Sequence, residues 1–192
     1  MTSSWALSCQ HRNEAERCLR ELQERFGKFG LSLHPEKTRL IEFGRFAAER
    51  RAKRGDGKPE TFDFLGFTHI SGKTRSGAFT IKRRSMGKRM RAKLQEIKWR
   101  LVRMMHCGVI VQGRWLGMVV RGWLNYHAVP DNSHRIKQFV TQVHRHWLHV
   151  LRRRSQKGRK KWTWERMRRL IVRWLPRPRI LHPYPNQRLI VR

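Results

Sequence analysis

From residue 81 to its C-terminal end the chain carries 30 Lys and Arg against three acids, Glu96, Asp131 and Glu165, a formal charge of +27. Like charge crowded into a compact body repels itself. Such a stretch folds stably only around a core strong enough to offset the repulsion, or beside a polyanion that neutralises it. The first 80 residues hold the remaining 15 basic and 10 acidic residues, a charge of only +5. A polyanion is therefore the expected partner of the C-terminal part, with nucleic acid and anionic membrane as the physical candidates. No apolar run approaches the roughly 20 residues of a membrane span, and MTSSWALSCQ lacks the basic-then-apolar order of a secretory signal. Cys9, Cys18 and Cys107 share no metal-ligand spacing and read as reduced thiols of a cytoplasmic protein. No metal site and no membrane partner are expected.

The hydrophobic pattern changes period along the chain. Residues 14–29 place Ala15, Cys18, Leu19, Leu22 and Phe26 on one helical face, with Gly30 as the stop. Two short β-like runs follow, 31–33 and 38–43, joined by a turn at His34-Pro35-Glu36-Lys37. Residues 46–60 are polar and read as an exposed loop. FDFLGFTHI (62–70) reads as one strand, paired with 78–82 across SGKTRSG. After Arg84 the period becomes helical: Met86, Met90, Leu94, Ile97, Leu101 and Met104 form a stripe closed by Gly108. Trp115, Val119, Trp123 and Tyr126 form a second stripe. Ile136, Val140, Val143, Trp147 and Val150 form a third, capped by Asp131 or Ser133. RRRSQKGRKK (152–161) reads as a basic linker, and Trp164 to Trp174 as a short fourth helix before Pro176. The tail PRPRILHPYPNQRLIVR is expected to be extended. The fold class is α+β, a small mixed piece followed by an all-helical basic piece, with the join near residue 83.

The order of these segments is specific. A helix, then GLSLHPEKTRLIEFG (30–44), then FDFLGFTHI, then a basic helical bundle closely resembles the end of the palm and the thumb of bacterial group II intron reverse transcriptases, or maturases. The resemblance runs from Trp5 onward. It implies a partial palm helix with β-hairpins over 1–83, a thumb or maturase-specific bundle over 84–175, and an extended basic tail over 176–192. In the family Tyr-Ala-Asp-Asp stands immediately before the position of Trp5; here Met1, Thr2, Ser3 and Ser4 occupy those places. Nucleotidyl transfer needs clustered carboxylates to hold two divalent metals, and the acids of this chain are scattered. The resemblance thus implies magnesium for the full-length family enzyme, no cofactor here, and no catalytic residue in isolation. The expected function is binding and folding of group II intron RNA to assist its splicing. Alternatives are the distal half of a split RNA-directed DNA polymerase, completed by an upstream fingers-and-palm polypeptide, and a gene remnant without function.

The resemblance places Lys37 near a nucleoside triphosphate, where an ammonium supplies charge and a proton; this role requires a complementary upstream half. Without one, Lys37 is a surface lysine in a turn, and with Arg39 it is a candidate contact to nucleic acid. Phe64, Leu65, Gly66 and Phe67 correspond to the primer grip, where glycine lets a template-primer duplex come close. The same aromatics also read as hairpin core. Lys82, Arg83, Arg84, Lys88, Arg89, Arg91 and Lys93 cluster at the start of the first thumb helix. Arg121 lies on the second. Arg152, Arg153, Arg154, Lys160 and Lys161 belong to the linker run. Charge runs are usually solvated faces, but an excess this large points to phosphate. Trp99, Trp115, Trp123, Trp147, Trp164 and Trp174 are assigned to the core. Asn125 and Tyr126, in the sequence NYH, either meet unpaired bases or merely end the helix.

Overall fold

A computed structural model describes residues 6–74 and 76–184. Trp5, where the resemblance begins, and the tail beyond residue 184 lie outside the described residues. Among the described residues the fold is mixed α/β, with seven helices and a three-stranded antiparallel sheet of order β1-β2-β3. The chain divides into two compact units. The first reaches Leu65 and resumes over His69–Ile81; the second takes Gly66–Thr68 and everything described from Lys82 onward.

In the first unit, α1 (Arg12–Gly27) presents its expected apolar face, but none of its residues is fully buried. Gly30, at φ +67°, closes it: the Leu31 N–H reaches back to Phe26 O at 2.9 Å, an αL ending that glycine allows. Residues 31–33 and 38–43 were expected as strands and are not. Neither run joins the sheet, and a run of alternating residues becomes a strand only beside a partner. The 46–60 segment, expected as loop, contains a short helix, α2 (Ala47–Lys53). Its AAERRAK sequence consists of good helix formers without an apolar stripe. Phe43 meets Phe62 edge-on at 4.9 Å, and Phe62 stacks on His69 at 4.8 Å.

FDFLGFTHI is two strands rather than one. β1 (Phe62–Phe64) and β2 (Phe67–Lys73) are joined by Leu65 and Gly66, at φ +47° and +82°. Two consecutive left-handed residues make the tight hairpin turn whose twist matches the strands it joins. Leucine rarely adopts that conformation, so the alternation alone read straight through it. β3 (Phe79–Ser85) runs past the expected end at residue 82.

The second unit contains α3 (Gly87–Arg103), α4 (Val109–His127), α5 (Ser133–Arg153), α6 (Gly158–Lys161) and α7 (Trp164–Trp174). α5 is its axis and packs on α3, α4, α6 and α7. Ile97, Leu101, Leu116, Phe139, Trp147 and Met167 lie at the centre of the core. α7 comes very close to α4: a Cβ on Gly113 or Gly117 would lie 2.7 or 2.6 Å from Trp174 atoms. The expected linker 152–161 is largely helical, because α5 continues to Arg153 and α6 follows. Arg and Lys are good helix formers, so a basic run is no barrier to helix. Asn132, not Asp131 or Ser133, holds the N-cap position of α5. No helix among the described residues is long and apolar enough to cross a membrane.

Candidate nucleic-acid interface

The most organised group of sequence-selected residues lies within the second unit, where β2 begins, α3 starts and α4 ends. Gly66 O accepts a hydrogen bond from Met86 N (3.0 Å), which fixes the turn to the start of α3. A Cβ on Gly66 would meet Arg89 Nη1 at 3.4 Å and Tyr126 Cε1 at 3.5 Å, so the glycine brings backbone, guanidinium and phenol ring together. Phe67 is buried and stacks on Tyr126 with ring centroids 5.5 Å apart. Tyr126 itself is half exposed. Three short motifs separated by some twenty to sixty positions in the sequence thus share one surface.

Beneath them lies a polar joint. Ser85 N donates to Asn132 Oδ1 at 3.0 Å, and Asn132 Nδ2 donates to Ser85 Oγ at 2.7 Å and to His127 O at 2.8 Å. Ser85 Oγ lies 2.9 Å from His127 Nδ1. Because Asn132 already donates to the serine oxygen, the serine proton is left for His127 Nδ1, which suits a neutral imidazole. Burial, and then the charge of Arg89, push the His127 pKa down to about 4. Trp123 stacks on this ring at 4.4 Å. Every buried polar atom of the joint has a partner, so the ends of β3 and α4 are held in one arrangement.

Comparison of the chain with family models, curated proteins and solved structures finds no match. The geometry therefore carries the functional reading. Lys88, Arg89, Arg91 and Arg121 are exposed on α3 and α4, as is Arg84, while Lys82, Arg83 and Lys93 are half-buried. Asn125 is exposed beside Tyr126. Arg152 and Arg154 are engaged with backbone: Arg152 Nε donates to Trp162 O at 2.9 Å and Arg154 Nη2 to His106 O at 3.4 Å. Arg153, Lys160 and Lys161 are exposed near them. In the first unit Arg39 pairs with Glu60 at 2.8 Å, Phe64 is half-buried, and Leu65 is exposed in its turn. Lys37 is exposed, in a turn closed by Lys37 N and Thr38 N on His34 O.

Glu16, Glu21, Glu42, Glu49 and Glu60 are each taken up by an arginine or lysine, and the described residues hold no group of three metal-ligating side chains.

Two contributors had no signal in the sequence. Ser85 and Asn132 are 47 positions apart, and neither residue type marks a site. The tail is the other. Leu181 N and His182 N both donate to Ala128 O, at 2.9 and 3.2 Å, and His182 Nε2 lies 2.6 Å from Asn125 O. The tail thereby satisfies carbonyls left open at the end of α4. The assignment of Trp99 and Trp164 to the core was also wrong. Trp164, the first residue of α7, is exposed. Trp99 is the more exposed of the two, at 60%, because it falls out of phase with Leu94, Ile97 and Leu101.

Proposed function

We propose that this chain is an RNA-binding protein of the group II intron maturase kind, equivalent to the end of the palm and the thumb of a reverse transcriptase. It acts by holding folded intron RNA, and the splicing chemistry belongs to the RNA. The observation that carries the reading is the shared surface of Gly66, Phe67, Arg89 and Tyr126. The family resemblance selects these motifs from separate parts of the sequence, and in the second unit they adjoin one another amid uncompensated basic side chains. Arginine and lysine there neutralise phosphates, while the exposed Asn125 and Tyr126 offer an amide and a ring to unpaired bases. Alone, the chain is expected to extend no primer.

The test is a competition titration of the full chain between its own intron RNA and an unrelated duplex of equal length, across salt. Affinity for both is expected to fall on the order of a thousand-fold or more between low and moderate salt if some six to ten phosphates are neutralised. Preference for the intron is expected to persist at moderate salt. Replacing Arg83, Arg84, Lys88 and Arg89 with Ala weakens binding to both RNAs; replacing Asn125 and Tyr126 reduces the preference more than the nonspecific affinity. Equal affinity for both RNAs at every salt refutes the maturase reading and leaves generic polyanion binding.

A further inference from the structure

Arg89, Lys93, Glu96, Arg100 and Arg103 recur on α3 at helical spacing, so they form one stripe along its exposed side. The stripe starts at the Gly66–Tyr126 surface and runs about 20 Å along the helix at 1.5 Å per residue. At its far end lies Trp99, 60% exposed, with the Arg103 guanidinium 4.7 Å from its ring centroid. Trp99, Glu96, Arg100 and the half-buried Trp115 of α4 line a shallow cleft of about 280 Å³. That volume is at the small end for a ligand site and suits a flat group rather than a peptide.

We infer that this cleft takes one unpaired nucleobase of the bound RNA, guanine above the others. Two tryptophans and a stacked guanidinium supply planar faces of the kind on which bases stack. The basic stripe supplies a phosphate track between this cleft and the Tyr126 surface. Glu96 sets the preference. Lys93 Nζ holds its carboxylate at 2.8 and 3.0 Å, and guanine is the base whose Watson–Crick edge offers two adjacent N–H donors to a carboxylate. Charge favours RNA over a protein partner here, since Glu96 is the single acid on α3 among seven Lys and Arg from Lys88 to Arg103.

The inference rests on the RNA reading, and its test separates the two. The full chain is titrated with four RNA hairpins that differ only at one position: fully paired, with one bulged guanine, with one bulged adenine, and with an abasic bulge. The bulged guanine is expected to bind about five- to a hundred-fold tighter than the abasic bulge, the range for loss of one base–aromatic stack. Trp99→Ala abolishes that difference and leaves the affinity for the paired hairpin and its salt slope unchanged. Trp99→Phe retains most of it, which separates stacking from a folding defect, and unchanged helical circular dichroism checks the fold. Glu96→Gln brings guanine level with adenine. Photocrosslinking of a bulged 6-thioguanosine to the unsubstituted protein is expected to map to the peptide containing Trp99. Equal affinity for guanine and abasic bulges, an unchanged preference in Trp99→Ala, or a crosslink confined to other segments overturns the cleft assignment, and leaves Trp99 as a docking surface for protein. Failure to bind any hairpin overturns the RNA reading as well.

Discussion

Among the described residues of the first unit one side chain, Ala47, is fully buried, whereas the second unit closes nineteen apolar residues into a single core. The balance of charge runs the other way. Of the ion pairs between described residues, Arg12–Glu16, Arg17–Glu21, Arg39–Glu60, Arg51–Glu60, Lys53–Glu49, Arg54–Glu42 and Arg54–Asp56 lie in the first unit, against Lys93–Glu96 and Arg169–Glu165 in the second. Charge of either sign is present in the first unit and is matched internally; its exposed pairs contribute little stability each. The second unit has almost no acid with which to match, so apolar burial must offset its repulsion. The unit with the better core is thus the one able to keep bare cations on its surface for a partner.

Trp147→Ala breaks this comparison most severely. Trp147 is fully buried and its indole N–H donates to Gln112 Oε1 at 2.9 Å. Its truncation is expected to cost about 3–5 kcal/mol. Leu22→Ala, on the half-buried face of α1, is expected to cost about 1 kcal/mol. Peptide-resolved hydrogen exchange reads each loss in its own unit. Comparable losses at both positions would mean that the first unit has a core of similar worth.

A paired glycine experiment comes next. Gly→Ala inside a helix ordinarily stabilises by about 0.5–1 kcal/mol, and Gly122→Ala on α4 should do so, because its new Cβ meets nothing within 4 Å. Gly117→Ala, five residues earlier, should instead destabilise by about 1–3 kcal/mol, because its Cβ would lie 2.6 Å from Trp174 O. Thermal melts of the two variants are expected to move in opposite directions.

Acid separates the units with a smaller effect. Burial holds His127 and His144 near pKa 4, with the Arg89 charge adding to it at His127. Unfolding returns them to about 6.5, so between pH 6.5 and 4 the unfolded chain binds more protons and stability falls with pH. The second unit therefore loses stability through this window. In the first unit Glu49 responds only at lower pH, because its hydrogen bond to Lys53 holds it below the ordinary carboxylate range. Tryptophan fluorescence during a pH titration follows the second unit, which contains seven of the eight tryptophans. His127→Gln should flatten its response.

The helices α3, α4, α5 and α7 were legible because a buried stripe repeats every three to four residues, a signal that packing imposes and sequence retains. Trp99 could have been placed correctly by the same phase, had its spacing from Ile97 and Leu101 outweighed its hydrophobicity. The site was legible as a set of motifs: FLGF, the basic start of α3 and NYH. Its assembly was not. Alternation tells a half-buried run from a loop but does not say whether a partner strand exists, so 38–43 read as a strand. The left-handed Leu65 has no compositional mark, and the Ser85–Asn132–His127 joint depends on contacts between distant positions.

Gln112 has a consequence of its own. Fully buried, it donates to Met104 O at 2.7 Å at the end of α3, while its oxygen accepts from Trp147 on α5. Apolar contacts between helices tolerate sliding, since one methyl group serves nearly as well as the next. This amide does not. If α5 slipped by one residue along its axis, an indole N–H and an amide oxygen would be stranded without water, at roughly 1–3 kcal/mol each. A single side chain thus sets the axial register of the helix on which the rest of the bundle is aligned, and so keeps the basic ridge of α3 facing one way.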